Sequence, residues 1–498
     1  MSIVIILLII GFIFEIILVD LKKSMFQELA ILLMGLLSLG IAALFIIDQL
    51  AIWSYLFLYL ACFRIINNFR LISYSKHPDY LRSVYKRTLS TLFIGQLILV
   101  ILAITSLYFS NILDYSWIYL LGFSLALSGI VAFKTFYNFR VLRTSRNKKK
   151  VFLDKDLPSI SVLIPARNED QQLRECLDTV IRSDYPKLEI LVLDDCSQTR
   201  RTAEIIKEYA HDGVIFIQGE VPPESFAAKN YAYQQLLEHS NGEIVFFLGV
   251  DVRLDISSLR EVVQELLISK KRMLSVLPLN QYTNSKSISP FLIQPLRYFW
   301  ELGLPRKLLE QPPVLSTFWG IFRSDLEGYG GFQGLRRDIL PERSIAKHLV
   351  AKNSYEFILQ NTGFEIISKK FFNEQRDTAI RLKYPSLKQR LESLSLVIAF
   401  KFMVFLLPIL ELVIGIFTDQ FNLIVFGVIL LGAGCLSYVL STYFAYRRFI
   451  PKSFLLAPFA ISYDMYLDLR SMFQYEFGEV YWKGRNVCIP VMYSVDEK

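Results

Sequence analysis

Residues 245–255 read VFFLGVDVRLD: four apolar residues, a glycine, a valine and then a carboxylate at Asp251. An unbroken apolar run, as opposed to an alternating one, is the pattern of a strand buried on both faces, as in parallel sheets covered by helices. Ligands of such sheets sit beyond the carboxyl ends of the strands, so the acid that ends this run stands at a ligand-binding edge. The usual cation-holding form of such an end is Asp-x-Asp. Here Gly249 takes the first position and Asp251 alone remains.

The same kind of strand recurs upstream. ISVLIP (Ile160–Pro165) and LEILVLDD (Leu188–Asp195) are nearly continuous in apolar residues, and VIFIQ (Val214–Gln218) is a shorter one. Between them, Asp170–Ser183 has helical spacing at Leu173, Leu177, Val180 and Ile181, and Thr202–Tyr209 and Lys229–Glu238 are helical too. Strands alternating with helices predict right-handed βαβ units and a doubly wound α/β sheet. Its strand ends carry Pro165-Ala-Arg-Asn-Glu169, Asp194-Asp195 and Gly249-Val-Asp251, so polar residues converge on one edge.

Around this domain the composition changes. The 498-residue chain is 53% hydrophobic, with a mean hydropathy of +0.38, above the usual range for soluble domains. Apolar blocks run over Ile3–Val19, Phe26–Ile47, Leu50–Ile66, Leu89–Phe109 and Trp117–Phe136, and again over Leu394–Phe417 and Leu423–Ala445. Each is roughly the 17–25 residues that a bilayer core requires. The first lacks a basic flank and a small-residue cleavage site, so it reads as a retained helix. Lys22–Lys23, Asn67–Arg87, Arg140–Lys150 and Arg447–Arg448 all fall on one side if the blocks alternate across a membrane. The positive-inside rule makes that side cytoplasmic. The expectation is a multi-pass cell-membrane protein with its central domain in the cytoplasm. Its parts are about five N-terminal spans (1–138), a basic linker (139–156), an α/β domain (157–384) and a C-terminal membrane part (385–498). The net charge of +8 is then topology and anionic-lipid contact, and nucleic acid is not an expected partner. The five cysteines and four histidines follow no metal or disulfide spacing.

The order PARNE, DDCS, a strand ending in VDV, FWGIFRSDLEGYGGF (Phe318–Phe332) and ILPERSIAKHL (Ile339–Leu349) resembles a membrane-anchored family-2 glycosyltransferase with a GT-A core. WKGR (Trp482–Arg485) extends the likeness toward the end of the chain. The processive branch's Gln-x-x-Arg-Trp is missing, and IRLKYPSL (Ile380–Leu387) is similar to the Arg-x-x-Tyr segment of non-processive, lipid-directed members.

The resemblance implies roles. Pro165, Arg167 and Glu169 would face the base and ribose of a nucleotide sugar, and Asp195, with Asp194 beside it, would hydrogen-bond the base. The family's Ser-x-Asp-x-Thr continuation is replaced by Ser197-Gln-Thr-Arg-Arg-Thr, which leaves the choice among UDP, GDP and other donors open. Lys229, which opens a helix after a Pro-containing loop, would approach the diphosphate, as would Arg381. Asp251 would coordinate Mg²⁺ or Mn²⁺, and magnesium can manage with one or two carboxylates when phosphate oxygens complete its shell. Inverting transfer needs a general base. Glu342, behind Pro341 at a helix N-terminus, aligns with that position, with Asp338 as its stand-in. Trp319 and Gly320 would flank the acceptor pocket. Ser453–Tyr481, which holds Asp464, Asp468 and Arg470, is too charged for a lipid-facing span and reads as an interfacial or re-entrant helix.

The function expected is transfer of one sugar from a nucleotide donor to a membrane lipid or lipid-carrier acceptor. A GT-A protein that binds a nucleotide sugar or a partner without turnover is the alternative, favoured by Gly249 and the altered DDCS continuation. A transporter has little support, because Glu15, Lys401 and Glu411 are scattered through the spans.

Overall fold

The structure, a computed structural model, describes residues 116–144, 152–223, 226–281, 287–303, 312–336, 338–359, 365–387, 389, 391–476 and 480–487. Four of the expected N-terminal spans lie outside these residues. The fifth is part of helix α1 (Ser116–Thr144), whose apolar stretch covers Ser124–Tyr137.

The α/β domain begins with β1 (Ile160–Ala166), α2 (Gln171–Ile181), β2 (Leu188–Asp194), α3 (Arg201–Glu208), β3 (Val214–Gln218), α4 (Ala228–His239) and β4 (Ile244–Leu248). It continues with β5 (Val252–Leu254), α5 (Ser258–Ser269), β6 (Met273–Leu277), β7 (Leu279–Asn280), α6 (Ser289–Leu292), α7 (Gln294–Gly303), β8 (Phe318–Phe322), α8 (Arg323–Gly328), α9 (Pro341–Ala351), β9 (Tyr355–Leu359) and β10 (Ile366–Ser368). The central sheet has the order β3-β2-β1-β4-β8-β6-β9. Its first four strands are parallel, as expected of βαβ units. The doubly wound expectation holds for these strands, and β8 then enters antiparallel between β4 and β6. The result is a GT-A-like α/β fold with a parallel core and one reversed strand.

Period-two alternation divides each central strand between two cores. Val162, Ile164, Phe246 and Leu248 pack against α2, α3 and α5 on one face. Leu163, Val245 and Phe247 pack against α4 and α9 on the other. Every residue of β4 is buried, which is why its sequence shows no polar alternation.

Beyond the domain come α10 (Phe372–Ser386), α11 (Leu391–Lys401), a π-helical turn (Phe402–Leu406), α12 (Leu407–Phe417), α13 (Phe421–Tyr446) and α14 (Lys452–Glu476). Pro408 follows the π turn; having no amide hydrogen, it removes an i→i−4 bond there. Leu396–Phe417 and Phe421–Tyr446 are long and apolar enough to cross a membrane. They pack as a hairpin, with Phe417, Phe421, Val428, Ile429 and Leu436 exposed.

The charged helix α14 is not isolated at a surface. Its Asp464 and Asp468 are buried and meet Lys383 of α10 at 2.6 and 2.8 Å. Lys401 of α11 reaches Asp464 at 2.6 Å and also pairs with Asp468. Two ammonium groups and two carboxylates thus neutralise one another where α10, α11 and α14 meet.

Candidate active site

β1, β2 and β4 end at a cavity of about 210 Å³. Pro165, Arg167, Glu169, Asp195, Lys229, Asp251, Asp338 and Arg381 of the predicted residues line it. Asp194, Glu342, Trp319 and Gly320 are placed elsewhere.

Asp251 follows β4 directly. Ser368 of β10 donates to its Oδ2 at 2.6 Å, and the Lys370 ammonium lies 3.8 Å from the same oxygen. Burial pushes this carboxyl up, but Lys370 and the Ser368 hydroxyl outweigh it, and the net pKa is below the ordinary carboxylate value. The Asp251 carboxylate therefore favours its ionised form at the cavity wall. Among the described residues no group of three or more Asp, Glu, His or Cys side chains is placed to hold a metal.

The glycine at 249 is tied to this geometry. A Cβ there would lie 2.7 Å from Asp251 Oδ1, so the Asp251 carboxylate occupies the space that a side chain at 249 would need. Gly249→Asp, which recreates the Asp-x-Asp spelling, is expected to displace Asp251 from Ser368 and to set two carboxylates against each other. Losing one hydrogen bond to a charged group costs about 1.5–3 kcal/mol, so donor binding measured by calorimetry should weaken roughly tenfold or more.

Lys229, Lys370 and Arg381 line the same cavity. Lys229 opens α4 and pairs with Glu342 Oε2 at 3.3 Å. Burial, with repulsion from Arg381 and Lys370, outweighs that partner and lowers the Lys229 pKa. Burial lowers Lys370 as well, with Arg297 of α7 and Arg381 adding repulsion against Asp251. Burial also lowers Arg381, whose Nε is buried without a hydrogen-bond partner. Buried cations that repel one another and share few acids form a receptor for an anion carrying more than one charge.

Glu342 is buried within the first turn of α9, behind Lys229, and its Oε1 has no hydrogen-bond partner. Asp338 faces the cavity but its carboxylate is engaged: the Leu340 amide donates to Oδ1 at 3.0 Å and the Ser344 hydroxyl to Oδ2. Asp194 is also committed, accepting from the Ser197 amide at 3.1 Å and from the Ser197 hydroxyl.

The expected acceptor-pocket role of Trp319 and Gly320 is corrected by their packing. Trp319 is fully buried, its ring stacked on Phe247 at 4.2 Å. A Cβ at Gly320 would meet the Phe246 ring at 2.3 Å, so this glycine exists to let β8 lie against β4. Strand residues 318–322 alternate between two cores, and neither side opens on the cavity.

Sequence reasoning missed Ser368, Lys370 and Arg297, and gave Lys483 and Arg485 of WKGR no role. The Lys369–Lys370 pair between a strand and a helix was a usable signal, because buried lysines need anions. Arg297 carried none.

The family model "Glycosyl transferase family 2" matches residues 161–330. This segment is a family-2 glycosyl transferase domain. The chain is 36% identical over 101 residues to "Probable glycosyltransferase YdaM" of Bacillus subtilis, covering 20% of this chain and 24% of that one. It is 31% identical over 119 residues to "4,4'-diaponeurosporenoate glycosyltransferase" of Staphylococcus haemolyticus, covering 24% and 30%. The chain therefore spans about a quarter to a third of these two relatives. Among solved structures it is similar to the mannosyltransferase PcManGT of Pyrobaculum calidifontis in complex with GDP-Man and Mn²⁺, with a TM-score of 0.44 and 17% identity over 71% of this chain and 99% of that one.

Proposed function

We propose that the protein transfers a single sugar, with inversion, from a UDP- or GDP-sugar to a membrane-embedded lipid or lipid-carrier acceptor, the catalytic domain facing the cytoplasm. The observation that carries this reading is the convergence of Asp251, Lys229, Lys370 and Arg381 on one cavity of a family-2 domain. A nucleoside diphosphate is the leaving group that needs such a set of cations.

Asp251 fits the part of single protein ligand to Mg²⁺ or Mn²⁺, being ionised, buried and at the cavity wall. A bound cation there supplies positive charge to the diphosphate. The chain's own residues do the rest: Lys229 and Arg381 hold phosphate oxygens, and Pro165, Arg167, Glu169 and Asp195 line the end where the nucleoside belongs. As the acceptor oxygen attacks the anomeric carbon, the carbon–phosphate-oxygen bond breaks and the nucleoside diphosphate leaves. We assign the hydroxyl proton to Glu342 Oε1, the oxygen without a partner, which meets the acceptor once Lys229 has turned from it to the diphosphate.

A membrane-borne acceptor is supported by the cavity's other wall. Arg381 on α10 and Tyr475 on α14 line it, and α14 packs on α13, which is long enough to span. The S. haemolyticus relative is named for 4,4'-diaponeurosporenoate. The test is purified protein in nanodiscs with labelled UDP- or GDP-sugars, Mg²⁺ or Mn²⁺ and a lipid extract. Label in the lipid phase is expected, and none with any donor would overturn the proposal.

The base assignment has its own test. Glu342→Gln should cut kcat by about 10²–10⁴ at nearly unchanged donor affinity. Asp338→Asn should mainly weaken the contacts to the Leu340 amide and the Ser344 hydroxyl, about 1 kcal/mol of stability. The reverse pattern in single-turnover rates would transfer the role to Asp338.

A further inference from the structure

Residues 480–487 end in a small hairpin, β11 (Tyr481–Trp482) and β12 (Arg485–Asn486). Its turn is Lys483-Gly484, with φ of +48° and +79°, the paired positive values of a two-residue type I′ turn, which glycine suits. Two residues per strand cannot hold a hairpin by themselves, so what it touches decides where it sits.

It touches the acids of the cavity. Arg485 Nη1 donates to Asp195 Oδ1 and Oδ2 at 3.0 and 3.1 Å, and the Lys483 ammonium pairs with Glu169. Arg167 Nε and Asn168 Nδ2 both donate to the Lys483 carbonyl, at 3.1 and 2.9 Å. The Trp482 ring lies against the Arg381 guanidinium at 4.2 Å. Trp482, Lys483 and Arg485 all line the cavity. A segment some 290–316 residues away in the chain thus closes the wall at the ends of β1 and β2.

We propose that this C-terminal hairpin is a built-in wall of the nucleotide subsite: Lys483 and Arg485 are positioning residues that cancel the charge of Glu169 and Asp195 where a nucleoside diphosphate enters, and Trp482 fixes the direction of Arg381. The inference rests on the glycosyltransferase reading. Without the two cations, the ionised forms of Glu169 and Asp195 at the nucleoside end would repel an incoming diphosphate. A single guanidinium nitrogen of Arg485 meets both Asp195 oxygens, so positive charge carries the contact, and glutamine supplies none.

The experiment uses the full-length protein and compares UDP or GDP with the uncharged nucleoside. Arg485→Gln should weaken diphosphate binding at least about tenfold and raise the donor KM in step, with kcat within a few-fold and a clearly smaller loss of nucleoside binding. Arg485→Lys should recover most of the loss, and it carries the test if the glutamine variant has a lowered Tm. Lys483→Gln should show the same pattern more weakly. Diphosphate binding by Arg485→Gln equal to wild type, or tighter as for removal of a blocking lid, would overturn the proposal. So would equal loss of nucleoside and diphosphate binding, or failure of the lysine variant to recover it. Wild-type protein that binds neither UDP nor GDP would overturn the glycosyltransferase reading along with it.

Discussion

Asp251→Asn is expected to reduce sugar transfer by about 10²–10³-fold while the protein keeps its fold. Asparagine preserves the shape of the side chain and can still accept from the Ser368 hydroxyl, which now meets Oδ2 at 2.6 Å. What disappears is the negative charge. Lys370 and Ser368 prevail over burial and hold the Asp251 pKa down, and without that charge Lys370 loses the carboxylate that lies 3.8 Å away. The cavity then holds Lys229, Lys370 and Arg381 with one acid fewer and without the proposed ligand of the divalent ion. Initial rates at saturating donor, together with calorimetric donor binding with and without Mn²⁺, separate the two effects. Binding of the bare diphosphate should survive, helped by the cations, while its Mn²⁺ dependence and the turnover should be lost. Wild-type turnover in Asp251→Asn would remove this residue from the chemistry.

Lys401→Met should produce the largest loss of stability. Lys401 and Lys383 neutralise Asp464 and Asp468 in a site where all four side chains are largely buried. Removing one partner of a buried ion pair leaves an uncompensated charge and costs about 3–5 kcal/mol. The tetrad also ties α10 to α14, and α10 carries Arg381 two residues before Lys383, so donor binding should weaken as well. Lys401→Met combined with Asp464→Asn restores charge balance and should regain part of the stability, because whole replacement of buried ion pairs is often near neutral. Thermal unfolding in nanodiscs reads both variants. A Tm in Lys401→Met equal to wild type would mean that the four charges are not coupled as their distances imply.

The tetrad shows where sequence reading ran out. Asp464 and Asp468 look like reasons to keep α14 away from apolar surroundings, and only their partners on α10 and α11, more than 60 residues away, make their burial tolerable. Trp319 and Gly320 failed in the opposite sense. Their resemblance to an acceptor wall was local, whereas the antiparallel entry of β8 turns both into the packing of β4. Lys483 and Arg485 were noticed as part of a motif, but nothing near them in the chain indicates that they meet Glu169 and Asp195.

By itself the sequence determined the parallel strands β1 to β4, their polar ends and the two apolar helices after the domain. Those features follow from local rules: side chains alternate along a strand, a buried strand is apolar throughout, and a spanning helix needs length and hydropathy. Tertiary structure alone decided which charges neighbour which, that Gly249 makes room for the Asp251 carboxylate, that Glu342 lies behind Lys229, and that the C-terminal hairpin closes the cavity. Electrostatic partners act across space with no preferred separation along the chain, so their pairing appears only once the chain has folded.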